Sequence, residues 1–194
     1  MSVRRGNYKN SRREELILAG IKELNAHGVT GFSIRRAAEA CGVSCAAPAR
    51  HFGSRSGYLA AVIAYVSGEW QEEQTRILAA AGDSLRTQIT ELGVGYVQFL
   101  VEHPQFRSIL MLRDEDLDRA YGADRAGLST TARDKITCYC AAAGIAAEVR
   151  ARKQYVIRAL IYGAALLFEN GELAYTPENL EIVRSSIERE FDLP

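Results

Sequence analysis

Two short segments rich in small residues, separated by one glycine, constrain the fold of this chain more than any other feature. The segment 32–41 carries apolar and small residues at helical spacing and predicts a short helix. Gly42 follows, and glycine permits the positive φ of a sharp turn between two helices. Ser44 stands where a side-chain oxygen caps a second helix by accepting an N–H from its first turn. This pattern predicts a helix-turn-helix, whose second helix presents its N-terminal side chains to a DNA major groove.

Charge is distributed unevenly along the chain, although the net charge is zero. Residues 1–58 contain ten Lys and Arg against four Asp and Glu, whereas residues 59–194 contain fourteen against twenty. A cationic N-terminal third suits a DNA-binding module, because neutralisation of phosphates supplies affinity that is independent of sequence. The alternative interpretation is an ordinary solvated surface.

Hydrophobic periodicity predicts an all-α chain of about nine helices, and strand-like alternation persists nowhere. A basic, polar segment at 1–10 predicts a flexible tail, and a capping-box pattern at Ser11 starts a helix that ends at Gly28. Ser54 caps a long fourth helix that runs to about Ala81. The later helices are predicted at 84–102, 104–112, 130–143, 146–170 and 177–191, with a loop at 113–128. We expect a DNA-binding domain at 11–56 and a ligand-binding and dimerisation domain at 57–194, linked by the fourth helix.

The predicted eighth helix is apolar nearly all round over residues 157–168. A helix with one wet face does not have this composition, so it either occupies the centre of the domain or meets a second subunit. Together with the amphipathic ninth helix it favours a symmetric four-helix dimer interface. The residues expected at this interface are Leu160, Ala164, Leu167, Leu180, Val183 and Ile187.

Several function classes lack support in the sequence. No apolar run reaches the roughly 18 residues of a membrane span, and no signal peptide is visible. The cysteines Cys41, Cys45, Cys138 and Cys140 show neither a disulfide framework nor zinc-finger spacing, so we expect a cytoplasmic protein. No phosphate-binding loop, metal-spaced His/Glu pair or nucleophile elbow occurs. We therefore expect no enzyme activity, no catalytic residue, no cofactor and no metal.

The first 60 residues resemble the TetR family of bacterial transcriptional regulators. The resemblance rests on the helix end at Gly28, on Ser33-Ile34, on the run 37–44, and on Arg50-His51-Phe52, Ser54-Arg55 and Leu59. The C-terminal two thirds is similar in size and helical layout, and 96–106 is similar to a segment of many members. Two positions depart: Ala49 replaces an aromatic, most often a Tyr that touches a phosphate, and Pro48 shortens the recognition helix.

The resemblance implies an all-helical homodimer that binds palindromic double-stranded operator DNA and releases it when a small-molecule effector fills the C-terminal domain. We therefore expect a ligand-responsive regulator that acts as a repressor. The apolar balance of the C-terminal helices favours a hydrophobic or aromatic effector. The alternative, favoured by Ala49 and by the few polar side chains on the recognition helix, is a family-like ligand-binding or partner protein with weak or lost DNA binding.

Candidate DNA contacts divide into those that position the protein and those that specify a sequence. Phosphate contacts are expected from Ser33, Arg35, Arg36, Ser54 and Arg55, because helix N-termini and cations attract phosphate; the two serines suit plain helix caps equally well. Base contacts are expected from Ser44, Cys45, Ala46, Ala47, Ala49 and Arg50. His51 also lies on this helix, where a structural or phosphate-facing role is favoured over a base contact. Arg50 matches the O6 and N7 acceptors of guanine, with a phosphate contact as its alternative role.

A ligand pocket is expected among the aromatic and long apolar residues of the C-terminal domain. The candidate lining residues are Trp70, Tyr96, Phe99, Leu100, Phe106, Leu110, Met111, Tyr139, Tyr162 and Phe168. The alternative role of each is ordinary core packing, since aromatic residues at helical spacing occur in any helical core.

Overall fold

The structure, a computed structural model, describes residues 4–104, 106 and 130–193, with side chains from residue 12 onward. Within that part of the chain it is all-α and has no strand, which confirms the predicted fold class. Eight helices occur there: α1 (Arg4–Gly31), α2 (Ile34–Ala40), α3 (Ala47–Phe52), α4 (Arg55–Ala81), α5 (Leu85–Glu102), α6 (130–142), α7 (Ala147–Glu169) and α8 (Pro177–Asp192). Most of the predicted helix 104–112 and the whole predicted loop 113–128 lie outside the described residues.

Short polar side chains cap three of these helices at the positions that the sequence predicted. The Ser33 hydroxyl accepts an N–H from Arg36, and the Ser54 hydroxyl accepts one from Gly57 at 3.0 Å. Thr176 caps α8 in the same way. Each bond pairs one of the N–H groups that the first helical turn leaves without a partner.

The first helix begins earlier than the sequence predicted. Its backbone is helical from Arg4, so residues 4–10 are not the unstructured tail expected before Ser11. No proline interrupts this stretch, and each added residue extends an existing helix at the gain of one hydrogen bond. The C-terminal prediction is confirmed, since the regular part of α1 ends at Gly28 with φ 66°.

The third helix is short and does not begin with the side-chain cap that the sequence predicted. α3 spans six residues, and its N-cap is Ala46, which makes no side-chain capping bond. The predicted cap at Ser44 is therefore wrong. The backbone carbonyl oxygen of Ser44 instead accepts a turn hydrogen bond from the Ala47 N–H at 2.9 Å. A start at Ala47 suits Pro48, because it places the proline in the first turn of α3, where the N–H that proline lacks would have no partner within the helix.

The chain divides into two compact units, and the division falls inside α4. The first unit contains Met1–Gly68, and the second contains Glu69–Pro104 and the described residues from 130. The first turns of α4 belong by packing to the first unit, whereas the sequence-based boundary fell at residue 56, with the fourth helix as the link between the domains. The reason is burial, since Tyr58, Leu59 and Val62 are almost fully inaccessible.

The core of the first unit is built around Tyr58 of α4. Its ring stacks on Phe52 at 4.3 Å between centroids and meets the edge of Phe32 at 5.3 Å. Its hydroxyl donates to the carbonyl oxygen of Leu16 in α1, and burial raises the pKa of Tyr58 well above its ordinary value. One residue of α4 thus fixes α1 and the ends of α2 and α3 relative to one another.

In the second unit, α5 packs against both α7 and α8. Gly93 makes this possible, because a Cβ atom at that position would lie 2.6 Å from Cδ1 of Ile187. At the C-terminal end of α8, the ammonium of Lys153 donates to the carbonyl oxygens of Glu190 at 2.6 Å and Leu193 at 2.7 Å. Lys153 is 1% exposed, so it ties α7 to the C-terminal end of α8 from inside the core.

Candidate functional site

The turn before α3 and the outer side of α3 form a surface of small side chains with one free cation. Gly42 has φ 62°, which confirms the predicted turn conformation. The candidate DNA-contacting residues of this surface are all at least partly accessible: Ser44, Cys45, Ala46, Ala49 and Arg50 are exposed, and Ala47 and His51 are half-buried. Pro48 and Phe52 face inward, the former buried and the latter half-buried against Tyr58. The arrangement leaves one side of a short helix open for close approach to another surface.

Arg50 differs from the other candidate cations in having no partner among the described residues. Its position in the last turn of α3 exposes the guanidinium. Arg35, in contrast, forms an exposed ion pair with Glu39 at 2.8 Å, one turn later on α2. Such an exposed pair is weak, so Arg35 keeps its charge available to a polyanion.

Arg36 serves the fold rather than the surface. Its guanidinium donates to the carboxylate of Glu23 in α1, with Nε at 2.8 Å, and also to the carbonyl oxygen of Gly31. The Ser33 N–H donates to the same carboxylate at 3.1 Å. Because the Arg36 hydrogen bond outweighs the effect of burial, the pKa of Glu23 lies below its ordinary value. This network fixes the start of α2 against α1.

The start of α4 lies on the exposed surface, with Ser54 and Arg55 both accessible. The Arg55 guanidinium donates to the carbonyl oxygen of Val29 and lies 5.9 Å from the Phe32 ring centroid. Arg55 therefore has two possible roles, since it holds the turn after α1 and places a charge beside the positive end of the α4 dipole.

The second unit contains a cavity of about 300 Å³ that is walled by α4, α5, α6 and α7. Trp70, Tyr96 and Tyr162, three of the predicted lining residues, lie on its wall. Trp70 and Tyr96 are 4.7 Å apart, and Tyr96 meets Tyr162 edge-on at 6.1 Å between ring centroids. Burial raises the pKa of the Tyr96 phenol, so this hydroxyl stays neutral at physiological pH.

Five other predicted lining residues, which the structure also describes, do not line this cavity. The ring centroid of Phe99 lies 5.2 Å from that of Trp70, and Leu100 is buried. Tyr139 contacts Phe191, and Phe168 contacts Tyr175. Phe106 is buried and is grouped with the first unit. Leu110 and Met111 lie outside the described residues.

Sequence reasoning missed the polar residues of the cavity wall. Gln74, Arg133, Gln154 and Arg158 all line it. Arg158 carried a usable signal, because it is the one charge inside the apolar run 157–168. The others have no local signature, since a polar residue that faces a cavity and one that faces solvent have the same sequence spacing.

The outer faces of α7 and α8 carry exposed apolar side chains. Tyr155 is 73% exposed, Leu166 49%, Leu167 40% and Ile182 58%. Leu160 and Leu180 are half-buried, so with Leu167 they remain accessible. Three other residues predicted at a dimer interface are corrected by the structure: Ala164, Val183 and Ile187 are buried inside the chain and have no surface to offer a second copy. The sequence pattern showed that these helices are apolar, but it did not distinguish the face toward the chain's own core from the exposed face.

Within the described residues there is no cluster of His, Cys, Asp or Glu that could hold a metal ion. No helix among them combines the length and the hydropathy that a bilayer crossing requires. The four cysteines are free; Cys45 and Cys138 are exposed, whereas Cys140 is buried.

No protein-family model and no curated protein sequence matches the chain. Solved structures match it over nearly its whole length. A TetR family transcription regulator from Marinobacter aquaeolei VT8 has a TM-score of 0.76 at 15% identity, covering 95% of this chain and 97% of its own. A protein of unknown function from Rhodococcus sp. RHA1 has a TM-score of 0.72 at 25% identity, with 92% and 94% covered. The fatty acid degradation regulator FadR from Bacillus halodurans has a TM-score of 0.70 at 12% identity, with 92% and 93% covered.

Proposed function

Because the chain has the fold of TetR-family transcriptional regulators, we propose that it regulates transcription by binding palindromic operator DNA as a homodimer. The observation that carries this proposal is the surface of α3, which combines small exposed side chains with the unpaired cation of Arg50. Small side chains let a helix enter the major groove deeply, and a guanidinium matches the two acceptors of guanine. The cationic first third supplies attraction to phosphate.

The positioning contacts in this proposal come from Ser54 and Arg55 at the start of α4 and from Arg35 on α2. Arg36, which the sequence placed in the same group, is engaged with Glu23 and contributes by orienting α2. Ser33 is proposed to contact phosphate as well, because its hydroxyl accepts the Arg36 N–H, as the Ser54 hydroxyl accepts that of Gly57, and keeps its own hydrogen to donate. Two chains present two α3 helices to successive major grooves when these are about 34 Å apart.

Release of DNA is proposed to follow from effector binding in the cavity of the second unit. α4 contributes Tyr58 to the core of the first unit, and Trp70 and Gln74 to the cavity wall. An effector that binds better to a conformation with a different α3 separation shifts the population toward it by the difference in its affinities. A regulator released in this way acts as a repressor when its operator overlaps a promoter.

The test begins with selection of bound duplexes from random DNA, followed by anisotropy titrations over a range of salt. Arg50→Ala is expected to weaken the selected duplex by about tenfold to hundredfold and to leave random DNA nearly unchanged. Arg55→Ala is expected to weaken both duplexes and to flatten the dependence of affinity on salt, and Arg55→Lys is expected to recover binding to random DNA.

Arg76→Ala provides a matched control, because Arg76 is an exposed arginine of α4 that pairs with Glu73 in the second unit. It is expected to leave both affinities unchanged. Equal losses on selected and random DNA for Arg50→Ala and Arg55→Ala would contradict the division into reading and positioning residues.

The alternative function is a ligand-binding or partner protein that has lost DNA binding. The six-residue length of α3, its uncapped start at Ala46 and the engagement of Arg36 favour it. This alternative predicts that selection enriches no sequence and that affinity for DNA stays weak even at low salt.

A further inference from the structure

The cavity of the second unit is small and has a flat aromatic wall. Its volume of about 300 Å³ lies at the lower end of the range for small-molecule sites, so it suits a compact metabolite. Trp70, Tyr96 and Tyr162 form the aromatic part of the wall, with Ile89, Leu92 and Ile161 beside them. Tyr96 meets Tyr162 edge-on at the wall. Aromatic rings prefer offset or edge-on neighbours, so this wall suits an aromatic ligand.

The charge on the cavity wall has one sign. Arg133 and Arg158 line the cavity, whereas no described lining residue carries a carboxylate. Neither guanidinium forms an ion pair with a described residue, and the Arg158 Cζ atom lies 5.7 Å from the Tyr162 ring centroid. Both arginines are exposed, so they stand at the mouth. A guanidinium held there binds a carboxylate through two parallel hydrogen bonds.

A second polar group lies inside the cavity. Gln74 of α4 is 6% exposed, lines the cavity, and makes no hydrogen bond to another described residue. The carboxamide lines the cavity, so a ligand there can form hydrogen bonds with it. The carboxamide both donates and accepts, so a hydroxyl or a carbonyl oxygen satisfies it.

We propose that the effector of this chain is an aromatic carboxylate with a neutral hydroxyl or carbonyl group, whose acid group lies between Arg133 and Arg158 and whose neutral group reaches Gln74. This inference rests on the proposed function in taking the cavity as the effector site. It goes further by assigning the charge of the ligand, the flat shape of its body, and the residues that select each part.

The test measures binding to the full-length protein without DNA. The probes are 4-hydroxyphenylacetate, its amide, the amine tyramine, and phenylacetate, which lacks the hydroxyl. Trp70 is the single tryptophan, so its fluorescence reports occupancy of the cavity, and calorimetry supplies an independent affinity. We expect the acid to bind at least about tenfold more tightly than its amide or tyramine, since a charge-assisted pair exceeds a neutral hydrogen bond by about that factor.

Substitutions assign the preference to residues. Arg133→Gln with Arg158→Gln is expected to abolish the preference for the acid over the amide and to leave the affinity for the amide within about twofold. Arg158→Lys keeps the charge and is expected to retain part of the preference. Gln74→Leu is expected to weaken 4-hydroxyphenylacetate but not phenylacetate. Arg189→Gln, which removes one positive charge from the exposed face of α8, serves as the control and is expected to change nothing.

Three results would overturn the inference: an amide or amine that binds as tightly as the acid, a preference that survives loss of both arginines, or no binding of any probe up to about 10 mM. Each of these leaves DNA binding untouched. Conversely, a protein that binds the acid as expected but ignores all DNA sustains this inference and contradicts the proposed regulator.

Discussion

Replacement of Lys153 by methionine tests whether the second unit depends on its one buried cation among the described residues. The ammonium is 1% exposed, donates to the carbonyl oxygens of Glu190 and Leu193, and lies 4.0 Å from Oε1 of Glu190. Methionine fills a similar volume but leaves those carbonyls and a buried carboxylate without a cation. Glu190 Oε1 already lacks a hydrogen-bond partner, so nothing nearby replaces the ammonium.

The expected loss of stability follows from the buried Glu190 carboxylate that remains after Lys153 is replaced. Removal of one partner of a buried ion pair costs about 3–5 kcal/mol, because the remaining charge stays buried. For a chain of this length that corresponds to a fall of roughly 6–20 °C in the unfolding midpoint. Removal of both charged groups, in Lys153→Met with Glu190→Gln, is expected to recover part of the loss, since no charge then remains unpaired.

Thermal and urea unfolding followed by circular dichroism measure these changes. Lys22→Met makes the same chemical change at an exposed position of α1 and is expected to alter stability by less than about 0.5 kcal/mol. A Lys153→Met protein whose stability lies within about 1 kcal/mol of the unsubstituted chain would refute the reasoning. A double variant less stable than the single one would do so as well.

Further substitutions test other parts of the structure. Gly93→Ala is expected to cost about 1–3 kcal/mol, because its Cβ would lie 2.6 Å from Cδ1 of Ile187; an unchanged urea midpoint would contradict this close approach. The lowered pKa of Glu23 implies a contribution to stability that is full above its unfolded pKa of about 4.3 and is lost as pH falls through the lower folded value. Arg36→Met is expected to remove that acid-dependent loss, and identical stability profiles between pH 3 and 7 would count against it. Leu167→Glu places a charge on an exposed apolar face and is expected to yield monomers, as light scattering would show; an unchanged dimer mass would exclude that face.

The elements with strong local signals were predictable from the sequence. Ser54 caps α4 and Gly42 adopts a positive φ, because each feature depends on residues within one turn. The start of α3 was not predictable from Ser44 alone, since a helix that begins at Ala47 also accommodates Pro48 in its first turn and forms without a side-chain cap. The packing of the first turns of α4 was not predictable for a different reason, because Tyr58 contacts Leu16 across a separation in sequence that no pattern reveals.

The site was predictable only where side-chain type decided it. Trp70, Tyr96 and Tyr162 were expected at the cavity because large aromatic residues concentrate in such walls. Gln74 was missed, since its spacing on α4 is that of an ordinary polar position. Ala164 and Ile187 were predicted at a dimer interface but are buried within the chain. An apolar helix has no sequence feature that separates the face toward its own core from a face toward a partner.

The stoichiometry and salt dependence of the complex with a selected palindromic duplex test the central claim most directly. Light scattering combined with anisotropy is predicted to show two chains per duplex, with an affinity that falls steeply as salt rises. A single chain per duplex, or an affinity for every duplex that stays weak and indifferent to salt, would contradict the account.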